Sequence, residues 1–165
     1  MTDTLVTLRR IAGISLFLAA PTSALQAQAE PVEAPQMESF FEALTADFEA
    51  RDVFAVDAKS LALTLGLSLG WPVSESGVTE ALGSEYRFGE LGLFLSCEGD
   101  VPCVMSAAGS HIEVTRATTD EPGHVQLRLM VSSTQDASVA REFNTVNLVH
   151  SDDGWRIVEG NQPPR

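Results

Sequence analysis

Basic residues are scarce in this sequence. The 165 residues include 10 Lys and Arg against 23 Asp and Glu, which gives a net charge of −13, and Lys59 is the sole lysine. A chain this acidic is repelled by phosphate backbones and by anionic lipid surfaces. We therefore expect no nucleic-acid partner and no docking through a polybasic segment.

The sequence also lacks an apolar run long enough to cross a bilayer, which takes roughly 17 or more residues. The apolar segment Ile11–Ala20 is about ten residues long, follows Arg9 and Arg10, and precedes the small-residue site Ala27-Gln28-Ala29. These features predict a signal peptide over residues 1–29, with a second possible cleavage site at Thr22-Ser23-Ala24; an ordinary amphipathic first helix is the alternative. We expect a periplasmic or secreted protein with no stable membrane span after cleavage.

Cysteine occurs only twice, as Cys97 and Cys103. In an oxidising compartment such a close pair predicts a disulfide, and a loop this short contributes about 2 kcal/mol by the chain-entropy argument. A redox pair, free thiols, or a zinc site shared with His111 and His124 are the alternatives. We expect no metal and no cofactor.

The rest of the chain divides into a flexible tether over residues 30–36, a single domain over 37–160 and a tail over 161–165. Apolar residues recur at helical spacing from Met37 to Asp52, which predicts an amphipathic helix. From Asp57 to Trp71, leucines alternate with small residues as in a strand, but leucine favours helices and Asp57 suits an N-cap. We expect a buried helix here, then a short helical turn at 78–82 and an irregular segment at 84–103.

The last third of the sequence alternates in the manner of β-strands. We expect strands at 111–117, 124–132, 139–150 and 155–159, with a loop at 133–138 and a tight turn at Ser151–Gly154. Helices followed by a run of strands indicate an α+β fold, with N-terminal helices packed on a curled C-terminal antiparallel sheet.

The closing segment Asp152-Asp153-Gly154-Trp155-Arg156-Ile157-Val158, at the end of a helix-then-meander order, resembles the nuclear-transport-factor-2-like superfamily. The resemblance covers roughly residues 37–160 and implies a cone-shaped domain whose sheet wraps a long helix around a pocket. Because this superfamily includes isomerases, dehydratases and non-enzymatic binding domains, the fold does not fix the function.

No triad, phosphate loop, calcium loop or nucleophile elbow occurs in the sequence. His111, His124 and His150 lie at strand ends, where we expect surface positions, and we expect Asp152 and Asp153 to form a hairpin turn. As candidate ligand-binding residues we select Phe41, Trp71 and Trp155 for an apolar pocket. Arg128 is a fourth candidate, able to hold an anion if its face of the strand turns inward; otherwise it faces solvent.

We therefore expect a non-catalytic binding domain that holds a small apolar ligand in its cone or a partner protein on its sheet. One alternative is a small isomerase or cyclase that uses an internal Asp, Glu or His as general base. The second is a structural or assembly subunit, which predicts a filled cone and a homodimer.

Overall fold

The computed structural model describes residues 34–158. The predicted signal peptide (1–29), most of the tether and the C-terminal tail (161–165) lie outside this range. So does the last residue of the predicted final strand, Glu159.

Three helices form the N-terminal half, as predicted. They are α1 (Ala34–Ala50), α2 (Ala58–Leu69) and α3 (Glu75–Leu82). The Asp57 side chain accepts a hydrogen bond from Ser60 N at 2.9 Å and so caps the start of α2, while Gly70 ends it in the left-handed conformation at φ 70°. These local signals make residues 58–69 a helix despite the alternating leucines.

Helix α2, which we expected to be buried, is buried along one side only. Leu61, Leu65 and Leu69 are buried, whereas Leu63 is 52% and Leu67 85% exposed. Leucines spaced by two alternate between the two sides of a helix, so half of the row faces solvent. None of the helices described in residues 34–158 is long and apolar enough to cross a membrane.

Six strands form one strongly curled, half-barrel sheet in the order β2-β1-β5-β6-β7-β8. The helices pack on it, and the predicted α+β class is confirmed. The strands are β1 (Val53–Val56), β2 (Arg87–Phe88), β5 (Ser110–Thr118), β6 (His124–Gln135), β7 (Ser138–Ser151) and β8 (Gly154–Val158); β3 (Leu95–Ser96) and β4 (Val104–Met105) form a separate small hairpin.

The sheet is mixed rather than wholly antiparallel. The C-terminal meander β5 to β8 is antiparallel as predicted, but β1 pairs in parallel with both β5 and β2. Strand β1 was missed because its sequence, Val53-Phe54-Ala55-Val56, is a short apolar run without alternation. Such a run is typical of a strand buried on both faces.

The prediction of a loop at 133–138 is wrong. Strand β6 continues to Gln135 and β7 begins at Ser138, so that a two-residue turn of Asp136 and Ala137 joins them. Both residues have positive φ, 48° and 59°, which suits the twist of a tight hairpin. The turn has no glycine or asparagine, the residues that usually mark a tight hairpin, so its sequence alone does not predict it.

The two faces of the sheet are covered differently. The inner face packs against all three helices, and the main core there includes Phe40, Phe48, Leu61, Leu127 and Leu148, all fully buried. The outer face is covered at one end only, by residues 89–109, which we call the cover segment. The rest of the outer face is open.

The cover segment contains a 3-10 turn (Leu91–Phe94) and the β3–β4 hairpin, which is closed by the predicted Cys97–Cys103 disulfide. Its apolar side chains, with Phe94 and Met105 at the centre, form a second core against Ala55. The segment therefore has some ordered structure where sequence analysis predicted an irregular stretch.

Candidate functional site

Three of the four predicted ligand-binding residues meet on the inner side of the sheet. Phe40 lies at the centre, with ring centroids 5.6 Å from Phe41, 4.8 Å from Trp71 and 5.5 Å from Trp155, all edge-on. Phe40, Phe41 and Trp71 are buried, and Trp155 is half-buried. The indole N–H of Trp155 is buried without a hydrogen-bond partner among the described residues.

This aromatic cluster is packed against itself. Edge-to-face rings at these separations are at their favourable contact distance, and the two indoles also touch each other at 5.8 Å. The positions expected to surround an apolar ligand are therefore occupied by one another's side chains. The two grooves described below both lie on the opposite, outer face.

Arg128 belongs to that outer face. On β6, Leu127 and Leu129 point into the core, so Arg128 between them points away from the helices and is exposed. The structure therefore separates Arg128 from the other three predicted residues by the thickness of the sheet.

Arg128 lies in a groove of about 470 Å³ on the open part of the outer face. The groove spans β5, β6 and β7, and its lining residues are Arg116, Thr118, Asp120, Gln126, Arg128, Phe143 and Thr145. Arg116 and Arg128 are directly opposite each other in the β5–β6 pairing. Like charges directly opposite each other on paired strands repel each other in the absence of an anion.

A β-bulge in β5 turns Arg116 to the outer face. The pairing shifts between Val114 and Arg116, so Thr115 is the extra residue and its hydroxyl donates to the Arg128 carbonyl at 3.1 Å. Beyond a bulge the alternation changes by one residue. Arg116 therefore faces outward and Ala117 inward, the reverse of what the upstream alternation predicts.

Helix α2 satisfies the backbone at the bulge. The Ser60 hydroxyl accepts from Val114 N at 3.1 Å, and the Thr64 hydroxyl donates to Val114 O at 3.1 Å. Both polar groups of the residue before the bulge thus have partners, as buried backbone requires. The bulge, and with it the position of Arg116, is held from the opposite side of the sheet.

Neither of the two guanidinium groups has a carboxylate within 4.0 Å among residues 34–158. Within the described part of the chain, the arginine–carboxylate ion pair is Arg51–Asp47 at 2.6 Å, and the His124 ring lies 4.0 Å from Asp120. The contact made by Arg128 is to the ring of Phe143, with its guanidinium carbon 4.5 Å from the centroid. Phe143 is itself 59% exposed, so an open aromatic surface borders the two charges.

A second groove, of about 330 Å³, lies farther along β7 against the cover segment. It is lined by Leu95, Pro102, Cys103, Ser138, Val139 and Arg141. None of Arg116, Phe143 and Arg141 was among the ligand-binding residues predicted from the sequence. The outward position of Arg116 depends on the bulge, but Arg141 and Phe143 could have been found from their spacing of two on one strand.

The buried carboxyl and imidazole side chains of the described region have structural roles. Asp57 caps α2, and His111, 1% exposed, bonds through Nε2 to Gly89 O at 2.9 Å with Phe94 packed beside its ring. His111 thus anchors the cover segment, which corrects its expected surface position. Both cysteine thiols are used in the disulfide, and no cluster of three metal-ligating side chains occurs in residues 34–158.

The chain matches no protein-family model, no curated protein and no solved structure.

Proposed function

We propose that this protein is an exported, non-catalytic binding domain that uses the outer face of its sheet to bind acidic groups of a partner protein. The observation that carries this proposal is the juxtaposition of Arg116 and Arg128 beside the exposed ring of Phe143. It favours the sheet surface over the cone as the binding site.

The chain as a whole is acidic, with a net charge of −13, but the local chemistry of this groove suits a carboxylate. Guanidinium groups bind carboxylates through paired, charge-assisted hydrogen bonds. A ligand carboxylate between Arg116 and Arg128 would also relieve the repulsion between them. Thr118, Thr145 and Gln126, which line the same groove, supply neutral hydrogen-bonding groups around it.

Export is supported by the disulfide, since disulfides persist in oxidising compartments. The signal-like pattern of residues 1–29 supports the same location. The proposed kinship with nuclear-transport-factor-2-like proteins is supported by helices held inside a curled sheet and by the closing hairpin of β7 and β8.

The catalytic alternative has less support from the geometry. A general base of the predicted kind needs a carboxylate or histidine facing a cavity. Asp57 and His111, the buried candidates, have their functional atoms bonded to backbone groups. The filled inner side likewise gives little support to a small apolar ligand in the cone.

The test is an NMR titration of the purified protein with a capped tripeptide that carries one glutamate next to a leucine. We expect chemical-shift changes in the side-chain signals of Arg116, Arg128 and Phe143, and none at the indoles of Trp71 and Trp155. The variant Arg128→Gln should abolish these changes.

Lys59→Gln is the matched control, because it removes one positive charge from the exposed side of α2. It should bind the peptide as the wild type does. No shift at the arginines, or shifts confined to the two indoles, would refute the proposal; the second result would restore the cone as the site.

A further inference from the structure

The two outer-face grooves are adjacent along one strand. Phe143 lines the first groove and Arg141 lines the second. Residues two apart on a strand point to the same face, so these two side chains are consecutive outward positions of β7. Together the grooves form one strip, which we call the β7 strip, that runs along β7 from the arginine pair to the cover segment.

Positive charge lies towards both ends of the β7 strip. At one end, Arg128 of β6 pairs with Thr145 of β7. Towards the other end, Arg141 lies four residues before Thr145 on β7. At about 3.3 Å per residue, the two positions are separated by roughly 13 Å along the strand. Phe143 lies midway between them.

The middle of the β7 strip is apolar and bordered by a negative charge. Phe143 pairs with Met130 of β6, and Met130 in turn pairs with Glu113 of β5. Glu113 therefore shares the outer face with these two side chains. A ligand group above Phe143 is favoured when it is apolar and disfavoured when it is an anion.

We infer that the β7 strip binds an extended acidic peptide segment in which two carboxylate residues lie four positions apart with an apolar residue midway. This inference rests on the proposed function and specifies its ligand. The carboxylate at one end lies between Arg116 and Arg128, the apolar side chain covers Phe143, and the second carboxylate reaches Arg141.

An extended peptide fits this arrangement for a geometric reason. Its residues i, i+2 and i+4 point to one side and rise about 3.3 Å each, so they match the spacing of the charges and of the ring. In a helix, side chains four apart are only about 6 Å apart and could not reach both ends. The pattern required is therefore acidic, any, apolar, any, acidic.

One carboxylate of the protein itself lies in the first groove. Asp120 is among the lining residues, and its carboxylate lies 4.0 Å from the His124 ring. It lies on the connection between β5 and β6, beyond Arg116. The negative charge of Asp120 opposes extension of an acidic ligand beyond the arginine pair, which limits the ligand to the length between the two ends.

The experiment measures binding of capped, fluorescein-labelled peptides to the purified protein by fluorescence anisotropy. The first peptide has two glutamates four positions apart with leucine between them. The second has the glutamates three apart, the third has serine in place of leucine, and the fourth has a single glutamate. We expect the first to bind about tenfold more tightly than each of the others. The second and fourth peptides lose one charge-assisted contact, and the third loses the apolar contact above Phe143.

The variant Arg141→Gln should reduce binding of the first peptide about tenfold and leave the single-glutamate peptide unchanged, if each peptide uses the contacts assigned to it. Lys59→Gln, with the same change in net charge, should alter neither. Circular dichroism checks that each variant is folded, which we expect because these side chains are exposed.

The binding results distinguish failure of this inference from failure of the proposed function. If all four peptides bind equally and need Arg128, the proposed function stands and the spacing inference is refuted. If none binds, both are refuted. Tighter binding of an acidic oligosaccharide such as oligogalacturonate, with no preference among the peptides, would overturn the peptide as the ligand.

Discussion

Replacing Phe40 by alanine tests whether the inner side of the sheet is filled. Phe40 is fully buried and contacts three aromatic rings at 4.8 to 5.6 Å. A buried Phe→Ala substitution costs about 3 to 5 kcal/mol. We expect Phe40→Ala to cost about 5 kcal/mol, the upper end of this range, because each edge-to-face contact adds roughly 0.5 to 1.5 kcal/mol to the lost burial.

Phe143→Ala is the matched control, since the same atoms are removed from a ring that is 59% exposed. We expect it to cost less than about 1 kcal/mol, as is usual for surface substitutions. Both variants are measured by urea unfolding followed by tryptophan fluorescence, since Trp71 and Trp155 lie in the cluster. A cost for Phe40→Ala close to that of Phe143→Ala would refute the filled inner side and revive a ligand cavity there.

Three further predictions concern the cover segment and the side chain of Tyr86. Gly109 has φ 100°, and an added Cβ would lie 2.5 Å from a backbone oxygen, so Gly109→Ala should lower the free energy of unfolding by more than about 2 kcal/mol. Gly99→Ala, at φ 58° with open space around it, should cost about 1 kcal/mol; equal costs in urea unfolding would contradict this. Replacing Cys97 and Cys103 by serine should lower the free energy of unfolding by about 2 kcal/mol. An unchanged urea midpoint would show that the disulfide does not stabilise the fold. The pKa of Tyr86 is raised, mainly by burial and also by two nearby glutamates. The folded state therefore holds the phenol proton to a higher pH than the unfolded state does. The free energy of unfolding should accordingly fall as the pH rises above about 10, the pKa in the unfolded chain. Tyr86→Phe should flatten that fall in thermal unfolding between pH 9 and 11, and an identical slope would exclude Tyr86 as its cause.

Local patterns were sufficient to predict the helices, the meander and the disulfide. Asp57 before an apolar segment and Gly70 after it are chemical signals for the start and end of α2. The two cysteines are too close in sequence for their proximity to depend on the rest of the fold. For α2 and the disulfide the determining contacts lie within a few residues, and for the meander the alternation of each strand is visible in the sequence itself.

The errors occurred where distant residues decide the structure. Strand β1 forms because β5 and β2 pair with it on either side, and its four apolar residues carry no periodic signal. The Asp136–Ala137 turn follows from the pairing of two long strands, which fixes its conformation against the local preference of alanine.

The sequence by itself identified one residue of the site, Arg128, but neither the other members of the site nor its location. It identified Arg128, Trp71 and Trp155 as unusual side chains in an acidic chain, and alternation correctly set Arg128 apart from the apolar face of β6. Only the tertiary structure decided that the aromatic residues pack against Phe40, and that the bulge in β5 turns Arg116 outward beside Arg128. The physical reason is that a strand's alternation survives only until a bulge, and this bulge is held by hydroxyl groups of α2 about fifty residues earlier in the chain.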